Sequence, residues 1–182
     1  MQIYPSLILS FFLSVMFVII VMKKVNLYLD KFIKVSEGPQ KIHQGYIPRL
    51  GGLSIFLTTG LVSIFQYKVT NDLIMTWFFF ISIPIFIFGF IEDITQSISP
   101  KLRLFGSVIS SLLFVLIFEI LITRLDIEIL EQILSYQIVS LIFTLLCITY
   151  LIQAFNVIDG LNGLSLSTAI ICFSALGIIS HE

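Results

Sequence analysis

Charge is scarce in this chain: only 12% of its 182 residues are Asp, Glu, Lys or Arg, and the formal net charge is -1. A soluble domain of this length needs far more polar surface, so the scarcity excludes that class. The near-balance of sign excludes the global basic field that would recruit nucleic acid. Cysteine is almost absent too. Cys147 and Cys172 both lie inside apolar runs, so they read as small buried hydrophobes rather than a disulfide framework or a metal site. The only histidines, His43 and His181, are too far apart to form a metal motif. No internal repeat or low-complexity tract is present. Met1 to Ser6 carry no basic residue, while Lys23 and Lys24 follow the first apolar run, which argues against a signal peptide.

What remains is hydrophobic. Apolar residues make up 58% of the chain, and the mean hydropathy is +1.08. A bilayer core about 30 Å thick requires roughly 20 apolar residues in a helix. Six segments meet this approximately: 4–22, 50–67, 73–91, 104–122, 138–158 and 164–180. The expected fold is therefore all-α, a single polytopic membrane helix bundle of about six transmembrane helices spanning 1–182. The second and last spans are short and would tilt little. Pro84 is expected to kink the third helix.

Orientation follows from the basic residues. Lys23, Lys24, Lys31, Lys34, Lys41, Arg49, Lys101 and Arg103 fall on one side, and only Lys68 and Arg124 on the other. The first side is thus cytoplasmic and the N-terminus is outside. Tyr4, Tyr67, Trp77 and Tyr136 fall at the outer interface, as aromatic anchors should. In the long loop 23–49, Val25, Tyr28, Leu29, Phe32 and Ile33 recur at helical spacing. That stripe reads either as a short helix lying on the inner leaflet or as part of a basic topology anchor.

Three polar stretches interrupt the spans, and the topology places all of them on the cytoplasmic side: KIHQGYIPRLGG at 41–52, EDITQSISPKLR at 92–103 and NVIDGLNG at 156–163. Glu92 and Asp93 fall at the end of the third helix, where the dipole disfavours each carboxylate by about 0.3–1 kcal/mol. Their adjacency adds to the cost of ionising both. A divalent cation, or a cation such as Lys101, would relieve both penalties. Mg²⁺ suits hard oxygen ligands of this kind. A water-solvated interfacial pair is an equal alternative. Lys101 and Arg103, placed just before the fourth helix, also oppose its dipole. They read as topology signals or as phosphate contacts. Asn156 falls one turn before Asp159 and is expected to be buried toward the membrane. Gly160 and Gly163 permit close backbone approach, and Asn162 has a planar amide for a nucleobase edge. The same residues would also serve as a simple tight turn. His43 reads as a loop histidine. Glu119, taken inside the fourth helix near its outer end, reads as a snorkelling side chain rather than a proton relay.

PRLGGLSIFL, GFIEDITQSISPKLRL and NVIDGLNGLS, in this order, resemble the signatures of the polyprenyl-phosphate N-acetylhexosamine-1-phosphate transferases. The resemblance covers about residues 41–165. It implies transfer of a sugar-1-phosphate from a UDP-N-acetylhexosamine to a polyprenyl phosphate, releasing UMP, with Mg²⁺ as cofactor. The setting implied is the inner membrane of a bacterium and cell-envelope synthesis: cell wall, lipopolysaccharide or teichoic acid. By the same resemblance Glu92, Asp93 and Asp159 are catalytic candidates. Asp93 and Asn156 are metal candidates, and Lys41, Arg49, Lys101, Arg103 and Asn162 are substrate-binding candidates. The partners are the two substrates and the lipid bilayer, with oligomeric state left open, a homodimer included. Glu92 departs from the Asp that many members carry, and reaches one methylene further. Members also have more helices, so the chain is expected to correspond to the N-terminal portion of such an enzyme. The alternative is a catalytically incomplete membrane binding or scaffold protein of the same family. A channel-like protein is disfavoured, because the spans are nearly free of charge.

Overall fold

The computed structural model describes residues 3–28, 51–95, 99–158 and 163–180. Of the described residues 88% are helical and none is in a strand, as the all-α expectation requires. The helices are α1 Ile3–Tyr28, α2 Gly51–Thr70, α3 Ile74–Thr95, α4 Pro100–Phe118, α5 Glu128–Leu134, α6 Gln137–Ile158 and α7 Leu164–Ile179. Gly51–Thr70, Ile74–Asp93, Pro100–Phe118 and Gln137–Ile158 are long and apolar enough to cross a membrane. Ile8–Val21 and Leu164–Ile179 are shorter apolar helices. The protein is thus a multi-pass membrane protein. The chain divides into two compact units, Met1–Ile120 and Leu121–Glu182.

In the first unit α1 packs on α2, α2 on α3, and α3 on α4. Most of the buried positions are small and hydroxylic rather than large and apolar: Ser54, Thr58, Gly60 and Ser63 in α2, and Gly106, Ser107, Ser110 and Ser111 in α4, with Ile81 of α3 and Val115 of α4 as the larger apolar exceptions. Lipid is as apolar as a leucine side chain, so nothing drives bulky residues inward. Close helix approach through small residues is what holds such a bundle together. The hydroxyls are mostly satisfied within their own helix: Thr58 Oγ1 donates to the Ser54 carbonyl at 2.8 Å, and Ser63 Oγ to that of Gly60 at 2.8 Å. Large side chains turn outward instead; Phe11, Phe12 and Leu116 are all exposed. Aromatic contacts tie the helices together. Phe56 of α2 stacks on Phe86 of α3 at 3.8 Å between ring centroids, and Phe78 of α3 meets Phe118 of α4 at 5.0 Å.

The α2–α3 connection is built from local chemistry. Asn71 takes the left-handed conformation (φ 55°), and its N–H donates to the Tyr67 carbonyl at 2.8 Å, closing α2. The Asp72 carboxylate then accepts from the Ile74 N–H at 2.9 Å and opens α3.

In the second unit α5 packs on α6, and α6 on α7. The buried positions of α6 are again hydroxylic: Ser140, Thr144 and Thr149.

Several boundaries differ from the sequence expectation. The fourth helix is not 104–122 but begins at Pro100 and ends at Phe118. Proline needs no N–H at the first helical position, so it starts the helix one turn early. Lys101 and Arg103 therefore lie inside the first turn and not before the helix. Glu119 is an exposed left-handed cap (φ 54°) rather than a residue within the span. Beyond it, Ile122 is withheld from the helix by α6. Its N–H donates to Thr144 Oγ1 and its carbonyl accepts from Ser140 Oγ, both at 2.8 Å. The segment 123–137, between the expected spans 104–122 and 138–158, contains α5, anchored by the buried Leu134. Helix α1 continues unbroken through Val25 and Tyr28, so these are not part of a separate surface helix. Leu29, Phe32 and Ile33 lie outside the described residues. Pro84 lies in the interior of α3, which is continuous around it.

Candidate functional site

The site is best defined where α3 ends and α4 begins. Phe88 and Glu92 are four residues apart on α3, and Arg103 and Gly106 three apart on α4, so each pair shares a helix face. Gly106 is buried, and the ring of Phe88 lies where its side chain would be. A β-carbon on Gly106 would come within 2.6 Å of Phe88 Cδ2. Phe88 also meets Phe105 edge to face at 6.4 Å. This close approach sets the spacing of the two helices one turn from the charges.

Arg103 and Glu92 are joined there by an ion pair, with Nη1 to Oε2 at 2.9 Å. Both side chains are largely shielded, at 30% and 26% exposure. Each charge alone sits at the wrong end of its helix, an anion at a C-terminus and a cation at an N-terminus, each disfavoured by about 0.3–1 kcal/mol. Paired across the hairpin, they offset one another. The cation that relieves Glu92 is therefore Arg103 and not Lys101, which is exposed on the first turn of α4. Arg103 Nε is buried and has no hydrogen-bond partner. Asp93 is half-buried beside Glu92. Adjacent residues on a helix leave its axis about 100° apart, so the two carboxylates diverge.

In the second unit, Asn156 lies in the last turn of α6 and is exposed, contrary to the burial expected from its place near the membrane. It falls where the helix is about to end, and none of the described elements covers it. Gly163 adopts the left-handed conformation (φ 74°) as the residue preceding α7, as a turn glycine should. Asp159, Gly160 and Asn162 lie outside the described residues, as do Lys41, His43 and Arg49. Among the described residues no group of three His, Cys, Asp or Glu side chains is placed to hold a metal ion.

Two contributors escaped the sequence reading. The Arg103–Glu92 pairing had a signal in the two dipole-opposed charges, which was read toward Lys101. Phe88 and Gly106 had almost none, because glycine and phenylalanine are common in such spans.

Residues 75–182 match the model of glycosyl transferase family 4. The chain is 28% identical to a phospho-N-acetylmuramoyl-pentapeptide-transferase of Hydrogenobaculum sp., an alignment covering 97% of this chain and 52% of that protein. It is 30% identical to the enzyme of the same name from Listeria innocua, over 80% of this chain and 48% of the relative. An undecaprenyl-phosphate alpha-N-acetylglucosaminyl 1-phosphate transferase of Thermotoga maritima is 30% identical, over 86% of this chain and 44% of its own length. The chain thus spans about half the length of the curated relatives it matches. No solved structure matches it. The family match takes in α3 through α7, and with them the acidic pair and the segment 156–163, so the chain belongs to glycosyl transferase family 4, together with these sugar-phosphate transferases.

Proposed function

We propose that the protein acts in transfer of an N-acetylhexosamine-1-phosphate from a UDP-sugar to a polyprenyl phosphate at the cytoplasmic face of the membrane. The observation that carries this reading is the family match over 75–182, which contains both the acidic end of α3 and the NVIDGLNG segment. In such a reaction an oxygen of the lipid phosphate forms a bond to the sugar-bearing phosphorus, the bond from that phosphorus to the UMP oxygen breaks, and UMP leaves. Both reactants are anions, so positioning and charge neutralisation are most of the catalysis. A divalent cation would supply part of that neutralisation.

The donor set on α3 suits Mg²⁺. Asp93 offers only hard oxygen atoms, and Mg²⁺ commonly binds one or two carboxylates while keeping waters and taking phosphate oxygens. The lack of a three-carboxylate cage among the described residues is compatible with that habit. By the family resemblance Asp93 and Asn156 are each candidate ligands of the ion, Asp159 is a catalytic candidate and Asn162 a candidate nucleotide contact. Lys101 is exposed at the start of α4, where a compact ammonium can meet a phosphate. Lys41 and Arg49 complete the basic candidates.

The test is UMP release from UDP-N-acetylglucosamine in proteoliposomes that contain undecaprenyl phosphate. Wild type should release UMP, and Asp93→Asn and Asn156→Ala should lower the rate by at least 100-fold, on the order of other losses of transition-state electrostatics. Near-normal turnover in both variants would sink the reading. A second reading is a binding-only member of the family. It predicts saturable UDP-sugar binding without any UMP.

A further inference from the structure

We infer that Glu92 is a positioning residue: Arg103 clasps its carboxylate and fixes the end of α3 against the start of α4, leaving the phosphate and cation chemistry of the acidic pair to Asp93. The inference rests on the proposed function for the role given to Asp93, but the clasp itself stands on geometry. Arg103 Nη1 lies 2.9 Å from Glu92 Oε2. The contact is shielded rather than a loose surface pair, with both side chains under one-third exposed. It sits one turn from the Phe88–Gly106 approach, so the helices are already held at the spacing the pair needs. The extra methylene of Glu lengthens its reach toward the neighbouring helix. Asp93 departs from the axis about 100° away and faces a different direction. Two adjacent carboxylates thus receive two jobs, because the helix separates them and Arg103 holds Glu92.

The electrostatics make the arrangement testable. The pair is oriented against both helix dipoles, with the anion at the C-terminal end of α3 and the cation at the N-terminal end of α4. Exchanging the residues, Glu92→Arg with Arg103→Glu, preserves the pair and puts each charge on the favourable end. A clasp predicts that this exchange is at least as stable as wild type.

The experiment uses the 182-residue chain in detergent micelles, with thermal unfolding followed by circular dichroism. Glu92→Gln and Arg103→Gln should each lower Tm by about 2–4 °C, the shift typical of a one-contact loss in a chain of this size. The double Gln variant should fall no further than the worse single, and the exchanged pair should recover wild-type Tm or exceed it. Additive losses, or an exchanged pair as unstable as the singles, would overturn the clasp. Mn²⁺ binding, read by electron paramagnetic resonance, supplies a measure that simple stability does not move. Arg103→Gln should tighten Mn²⁺ severalfold by releasing the Glu92 carboxylate, and the gain should vanish in the double Gln variant. Asp93→Asn should weaken Mn²⁺ at least tenfold, whereas Glu92→Gln should change it less than about twofold. If Glu92→Gln weakens Mn²⁺ as much as Asp93→Asn, Glu92 is itself a ligand and the division of roles is wrong. If wild type binds neither Mn²⁺ nor UDP-sugar, the proposed function fails while the thermal cycle still decides the clasp.

Discussion

Phe88 and Gly106 carry the geometry of the site although neither has a functional group. The ring of Phe88 occupies the space over Gly106, with 2.6 Å left for a β-carbon. The nearest atom is Cδ2 on the near side of the ring, and Phe88 Cβ itself would be only 3.4 Å away, so the ring cannot simply swing aside. Gly106→Ala therefore sets two effects against each other. Alanine gains about 1 kcal/mol of helix propensity over glycine, while overpacking costs typically about 1–3 kcal/mol. The steric term should win, lowering Tm by a few degrees, and Gly106→Leu should lower it further. If the contact is the cause, Phe88→Ala in the Gly106→Ala background should recover part of the loss, because it removes the clashing ring. A Gly106→Ala protein that melts above wild type would show that the helices separate without cost. Gly60 makes a milder comparison. Its β-carbon would meet Phe79 Cε2 and Cζ at 2.9 Å, the far edge of a ring that can tilt.

At the scale of the element, the stretch 119–122 shows how tertiary partners override an apolar run. Apart from Glu119 its residues are as hydrophobic as those of α4, and composition alone extends the helix through Ile122. The helix stops at Phe118 because the Ile122 N–H and carbonyl find Thr144 Oγ1 and Ser140 Oγ, while Thr144 Oγ1 itself donates to the Ser140 carbonyl at 2.7 Å. Backbone groups in apolar surroundings must be paired, and two hydroxyls on α6 do this as well as a further helical turn would. Thr144→Val keeps the shape and leaves the Ile122 N–H without its acceptor, at a cost of about 1–3 kcal/mol. Amide exchange at Ile122 should accelerate, while Thr144→Ser should stay near wild type; unchanged exchange in Thr144→Val would refute the role. The spans centred on α2, α3 and α6 were legible in the sequence because long apolar runs bounded by Asn, Asp and Gly leave few alternatives. The end of α4 was not, since its determinants, Ser140 and Thr144, lie about 20 residues away and look like ordinary span residues. The same distinction runs through the site. Glu92 and Asp93 announced themselves as charges beside lipid, and their opposition to the α3 dipole pointed to a cation. Which cation could not be read, because it depends on which face of α4 turns toward α3, and Gly106 decides that.

At the scale of the whole molecule, the proposed function depends on which side of the membrane the end of α3 faces. The charge bias leads to the expectation that Lys23 and Lys101 lie on the cytoplasmic side with the acidic pair, and Lys68 and Arg124 on the other. All four are exposed, so single cysteines at these positions can report on sidedness. The native thiols need removal first: Cys172 is exposed and Cys147 half-buried, and both are replaceable by Ala as small apolar residues. In intact spheroplasts, a membrane-impermeant maleimide should label Lys68→Cys and Arg124→Cys at once. It should reach Lys23→Cys and Lys101→Cys only after the membrane is permeabilised. The prediction rests on an excess of eight basic residues over two, which single substitutions reduce by only one and do not reverse. The opposite labelling pattern would put Glu92, Asp93 and Arg103 outside, away from the cytoplasmic pool in which a UDP-sugar is available. The proposed cation binding at Asp93 would survive that result, but the proposed nucleotide-sugar reaction would not.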